Sequence, residues 1–92
     1  MSEYITIDVE PTEDPQVVII HTNLTLAPGG DESYPDAARG ETGSPLAQAL
    51  FAIDGVSALT IAGGDLIVTR SPNIELFSLV DEIDAALKDF FL

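Results

Sequence analysis

The sequence predicts an α+β fold, a two-layer sandwich whose four-stranded, mostly antiparallel (mixed) sheet carries two helices on one face. Three observations point there. Strand-like stretches come in two pairs, 4–9 with 16–26 and 56–61 with 66–69, each pair separated by a turn signal. Two dipeptides, Ser44-Pro45 and Ser71-Pro72, each open a segment with apolar residues at helical spacing. Apolar residues make up 46% of the 92 positions, which suits one modest core and a single domain over residues 1–92. The predicted order is strand, strand, helix, strand, strand, helix.

The first strand alternates as Tyr4, Ile5, Thr6, Ile7, Asp8, Val9, with Ile5, Ile7 and Val9 on one face. Glu10-Pro11-Thr12-Glu13-Asp14-Pro15 then breaks the ladder, because two prolines and adjacent acids favour a turn. Val17, Val18, Ile19 and Ile20 form the densest β-branched run and read as a strand buried on both faces. The alternation continues through Leu24 and Leu26, so this strand is expected to extend to Leu26 through a bulge near Asn23 and to pair with the first as a hairpin.

Residues 27–43 hold the weakest pattern. Pro28-Gly29-Gly30-Asp31 is a turn signal, and nothing from Tyr34 to Gly40 repeats with a sustained period. A structureless loop of about 17 residues is long for a compact domain. Two outcomes stay open: a short strand around Ser33-Tyr34 docks on the sheet, or the segment is mobile.

Ser44 is placed as an N-cap with Pro45 at the first helical position, where its missing N–H is harmless. Leu46, Ala49, Leu50 and Ile53 share a face, and Gly55 supplies a left-handed residue after the last turn. Val56 to Ile61 and Leu66 to Thr69 are strands around the turn Ala62-Gly63-Gly64-Asp65. Ser71-Pro72 repeats the cap-then-proline start, and a final helix runs from Pro72 to about Phe90. Its stripe is Ile74, Phe77, Val80, Ile83, Leu87 and Phe90, widened by Leu76 and Leu79, with Asp81, Glu82, Asp84 and Asp89 on the wet face. If the central strands of the two hairpins are neighbours, they run parallel and the sheet is mixed.

Charge excludes several functions. Sixteen Asp and Glu stand against three Lys and Arg, a net charge of −13. Nucleic-acid affinity comes largely from Lys and Arg neutralising phosphates, so no nucleic-acid partner is expected, and anionic membranes are disfavoured for the same reason. The expected partners are basic protein surfaces or cations. Acidity also fits simple solubility or a salty interior, since at molar salt the Debye length falls to about 3 Å. With no cysteine, the sequence has no disulfide and no thiolate for an iron–sulfur cluster. That composition, together with an N-terminus unlike a signal peptide and no apolar run near the ~20 residues that span a bilayer, predicts a cytoplasmic protein.

Three segments together resemble a known family. These are Glu10-Pro11-Thr12-Glu13-Asp14-Pro15; Ser44-Pro45-Leu46-Ala47 with Leu50-Phe51 and Ile53-Asp54-Gly55-Val56; and Asp65-Leu66-Ile67-Val68-Thr69-Arg70. In that order and spacing they resemble the N-terminal domain of Nfu-type (Nfu/NifU) iron–sulfur scaffold proteins over nearly the whole chain. Leu66 stands where the family often has Phe, and Phe77 lies near a position often held by Trp; both stay apolar. The full scaffold carries its cluster on a second domain with Cys-x-x-Cys, which these residues lack. The resemblance therefore implies the fold and an accessory, non-enzymatic role in iron–sulfur cluster assembly or delivery, with assembly factors or client proteins as partners and no cluster, metal or other cofactor on this domain.

The candidate surface is Glu10, Pro11, Thr12, Glu13 and Pro15. Prolines stiffen the loop, and a rigid exposed loop loses little entropy on docking; hairpin geometry alone is the other explanation. The alternative function is a small ligand- or cation-binding domain, or minor enzyme, using the loop carboxylates Asp31, Glu32 and Asp36, which lack the regular spacing of a calcium loop. His21, the one histidine, points to packing or a hydrogen bond. Asp54 and Asp65 flank glycine turns and are expected to satisfy local backbone donors. No lysine follows Gly63-Gly64, so that pair is no phosphate cradle. Ser44 and Ser71 read as caps, and no catalytic residue is assigned.

Overall fold

A computed structural model describes residues 5–27 and 29–91. The expected strand start at Tyr4 and the turn residue Pro28 lie outside the described residues. The elements in chain order are β1 (Ile7–Pro11), β2 (Val17–Thr22), β3 (Glu32–Tyr34), α1 (Ala37–Glu41), α2 (Pro45–Phe51), β4 (Val56–Ala62), β5 (Asp65–Arg70) and α3 (Leu76–Phe91).

The strands form one sheet in the order β1-β2-β5-β4-β3, and every neighbouring pair is antiparallel. Two expectations are corrected here: the sheet has five strands rather than four, and it is not mixed. The two hairpins meet through β2 and β5, with Val18 opposite Val68 and Ile20 opposite Leu66. The inner strands of the two hairpins, β2 and β5, are neighbours as the sequence reading supposed, but they run antiparallel and not parallel. The outer edge of β4 is left free, and β3 docks there through Ser33 and Thr60. Of the two outcomes open for residues 27–43, the docked strand is the one found.

Alternation decides which side of the sheet is covered. Val18, Ile20, Leu59, Ile61, Leu66 and Val68 are at most 2% exposed and pack in one cluster with Leu46, Leu50, Leu79, Ile83 and Leu87 of the helices. Val17 and Ile19 point the other way and are partly exposed, so β2 is buried on one face and not on both. β2 also ends sooner than expected. After Thr22 the chain folds over the β4–β5 turn, where the N–H groups of Thr22 and Leu26 donate to the carbonyls of Gly64 and Gly63 at 2.8 and 2.7 Å. That turn sinks Leu26 into the core without a further strand. β1 shifts in the opposite sense, running through Glu10 to Pro11; an edge strand tolerates a proline because no ladder bond on its outer side is lost.

The helix α1 is absent from the sequence reading. Five residues show no period, and its start is marked by one side chain: Asp36 Oδ1 accepts the Arg39 N–H at 2.9 Å. Gly40 is buried against α2, and a Cβ there would lie 2.0 Å from the Phe51 ring. α2 forms as expected, with Ser44 Oγ accepting the Ala47 N–H at 3.3 Å and Leu46, Ala47 and Leu50 buried. Its C-cap is Ala52 in right-handed geometry; Gly55, at φ +108°, serves the turn into β4 instead of capping the helix.

Ser71-Pro72 does not start α3. The Ser71 carbonyl accepts the Ile74 N–H at 3.1 Å in a tight turn, and the Ile74 carbonyl is taken by Arg70 Nη1 at 2.8 Å. The first helical bond runs from the Leu79 N–H to the Glu75 carbonyl at 3.1 Å, so α3 begins one turn later than expected, at Leu76. The buried stripe is then Leu79, Val80, Ile83 and Leu87, with Leu76 partly covered. Phe77, expected in the stripe, sits about 100° around the helix from Leu76 and is 71% exposed.

Candidate functional site

The hairpin between β1 and β2 is built around Thr12. Its Oγ1 lies 2.9 Å from the Val17 carbonyl and 3.0 Å from the Asp14 carbonyl, and accepts the Asp14 N–H at 3.2 Å. Asp14 Oδ1 accepts the Gln16 N–H at 2.9 Å. Arg70 reaches across with Nε donating to the Pro15 carbonyl at 3.2 Å, while its N–H donates to Gln16 and its carbonyl accepts Gln16 Nε2. The candidate residues divide accordingly. Glu13 and Pro15 are exposed on a braced turn, Thr12 is spent inside it, and Glu10 and Pro11 belong to the edge strand β1 rather than to a loop.

Glu10 has a further partner. Strand alternation sends it to the uncovered face of the sheet, where its Oε1 meets His21 Nε2 at 2.8 Å; Asp65, opposite His21 in the β2–β5 ladder, meets Nδ1 at 2.8 Å. Asp8 is the register partner of His21 on β1. With a carboxylate on each ring nitrogen, both nitrogens serve best as donors, so the imidazolium is favoured. The His21 pKa is raised above its ordinary 6.5, chiefly by the hydrogen bond to Glu10, then by that to Asp65. The hydrogen bond expected of His21 is present. Asp65, expected to serve backbone donors, serves the histidine instead. The sequence signal that could have found this cluster is the alternation itself, which sets Glu10, His21 and Asp65 on one face once the strand order is known.

The loop acids Asp31, Glu32 and Asp36 are not brought together as a site. Glu32 lies in β3 and accepts the Tyr34 hydroxyl, Asp36 caps α1, and Asp31 is exposed. Among the described residues no group of three or more His, Asp or Glu is arranged to hold a metal ion. Tyr34, flagged by the sequence only as part of a short strand, is a joint: its hydroxyl accepts the Ser44 N–H at 3.2 Å, and its ring meets Phe51 edge-on at 6.1 Å. A groove of about 380 Å³ opens between the start of α2 and the end of α3, lined by Leu26, Pro45, Leu46, Phe90 and Phe91 among others. No helix among the described residues is long and apolar enough to cross a membrane.

A family model described as the N terminal of scaffold protein Nfu/NifU matches residues 7–92. Two curated relatives, NifU-like protein 4 and NifU-like protein 5, both mitochondrial, of Arabidopsis thaliana, are each 29% identical over 85 residues. The alignment covers 92% of this chain but 30% of either relative, so the chain spans under a third of their length. Among solved structures, a NifU-like protein from Saccharomyces cerevisiae superposes with a TM-score of 0.75 at 20% identity, covering 97% of this chain and 82% of that one. Protein SAV1430 from Staphylococcus aureus gives 0.70 at 10% identity, covering 88% and 96%. At such identities the two structures speak for the fold.

Proposed function

This chain belongs to the Nfu/NifU N-terminal family, and from that membership we propose that it is a non-enzymatic interaction module serving iron–sulfur cluster assembly or delivery. The observation that carries the reading is the family match over 7–92 in a sequence with no cysteine. Thiolates hold such clusters. Ninety-two residues without one act on a cluster that another polypeptide chain or segment holds, and their contribution is a surface. The exposed end of the first hairpin supports this: Glu13 and Pro15 stand on a turn stiffened by Thr12 and Arg70, so little motion is lost on docking, and Glu10 and Pro11 stand beside it at the end of the edge strand β1. A net charge of −13 selects partners with basic surfaces. The acidic, cysteine-free composition supports a cytoplasmic setting, which cell fractionation tests.

The functional test is genetic and biochemical together. Removing the chain from its cell is expected to lower the activity of cluster-dependent enzymes while their polypeptides persist, and the immobilised chain is expected to retain cluster-assembly proteins identified by mass spectrometry. Unchanged cluster enzymes with no assembly or client protein retained would overturn the reading.

A further inference from the structure

Among the described residues, the sheet has one face under the helices and no element over the other. On the uncovered side, register sets Val17, Ile19 and His21 of β2 beside Thr69, Ile67 and Asp65 of β5, and these beside Ala58, Thr60 and Ala62 of β4. Val17, Ile19 and Ile67 are partly exposed and stand outside the core cluster and the apolar residues packed against it. Asp8, Glu10 and Asp65 flank this aliphatic centre at its His21 end and along the β1 edge. The basic residues are elsewhere: Arg39 on α1, Lys88 on α3 bonded to Asp84 at 2.9 Å, and Arg70 with its guanidinium on the carbonyls of Pro15 and Ile74. Among the described residues His21 is the one group within the face that can carry positive charge, and two carboxylates already hold it.

We propose that this uncovered sheet face is the docking surface for a protein partner that presents lysine or arginine around an aliphatic centre. The proposal rests on the interaction-module reading and extends its docking surface from the hairpin end, through Glu10, onto the sheet face. Burying Ile19 and Ile67 supplies the non-directional part of the affinity, at about 25 cal/mol per Å² of apolar area removed from water. Asp8, Glu10 and Asp65 set the sign of what can approach and its register. Among the described residues the aromatic groove at Phe90 and Phe91 has one carboxylate side chain in its lining, Glu32, against three on the sheet face. The outer face of α3 has the carboxylates Asp81, Glu82 and Asp89, but its exposed large apolar residues are aromatic and stand apart at the two ends of the helix, Phe77 at the first turn and Phe90 and Phe91 at the last, not an aliphatic sheet of three strands.

The test uses the full chain and a synthetic peptide of alternating lysine and valine, followed by amide chemical shifts at low salt. Shifts are expected to concentrate at residues 17, 19, 21, 58, 60, 67 and 69. Ile67→Lys is expected to weaken binding at least tenfold, whereas Ser78→Lys, the same charge change on exposed α3, leaves it within twofold. Thr60→Lys, on the same row of the sheet, decides the matter if Ile67→Lys does not fold. An alternating glutamate–valine peptide is expected not to bind. Shifts centred on α3, or equal loss from Ser78→Lys and Ile67→Lys, would overturn the proposal. A cluster-assembly partner retained equally by wild type and Ile67→Lys overturns the face and leaves the module reading intact. Binding of the peptide at the face, with no assembly protein retained, supports the face and counts against the module.

Discussion

The two faces of the sheet are made by the same strands and differ in every other residue. On the helix side, Ile20, Ile61, Leu66 and Val68 are completely buried. On the other side, Ile19 and Ile67 occupy equivalent positions in the same ladders and remain partly open, next to a histidine between two acids. Identical strand chemistry thus does two jobs: one face holds the fold together, and its reverse is free to meet other molecules. Stability and recognition are separable here by a single step along the chain.

The sharpest way to break that comparison is to truncate one residue on each face. Leu66→Ala is expected to cost about 2–5 kcal/mol by denaturant unfolding, while Ile67→Ala costs about 1 kcal/mol or less. Equal losses would mean that the reverse face is also structural. A smaller effect is expected where the helical layer closes on itself. Gly40→Ala sets a methyl against the Phe51 ring and is expected to cost about 1–3 kcal/mol, with partial rescue in the double variant Gly40→Ala, Phe51→Leu. Ser44→Ala removes the cap of α2 and is expected to cost about 0.5–2 kcal/mol.

The smallest effect belongs to the open face and is read by pH. The folded-state pKa of His21 is raised, so its stabilising contribution is fully present below its ordinary value of 6.5 and is lost as pH rises through the folded-state value. By NMR the ring is expected to titrate above 6.5, and Glu10→Gln with Asp65→Asn is expected to bring the midpoint down. His21→Gln flattens the pH dependence of the melting temperature across the same interval. A wild-type midpoint at or below 6.5 would show that the carboxylates do not hold the ring in solution.

Much of this comparison was legible in the residues before any coordinates. The runs at 17–20 and 66–69 declare strands, and Ser44-Pro45 declares a helix start that the cap confirms. What stayed hidden has local physical causes. β3 is three residues long and exists because β4 offers an edge, a fact about neighbours and not about Ser33 or Tyr34. α1 is five residues long, too short for a period to show. The start of α3 lies one turn later because the chain after Ser71 first closes a tight turn, its Ile74 carbonyl bonded by Arg70, a tertiary contact that a cap-and-proline signal does not record. The link of Glu10 to His21 to Asp65 follows from strand order, which local pattern leaves open. Of the surface candidates, Glu13 and Pro15 are where a loop reading puts them; Glu10 and Pro11 are not, because an edge strand accepts a proline that a central one would refuse.

Mechanically, Arg70 is a cross-strut. One side chain grips the carbonyl at Pro15, on the tip of the first hairpin, and the carbonyl at Ile74, just ahead of the long helix. The hairpin tip and the approach to the long helix are thereby tied by one guanidinium at the rim, apart from the oily interior.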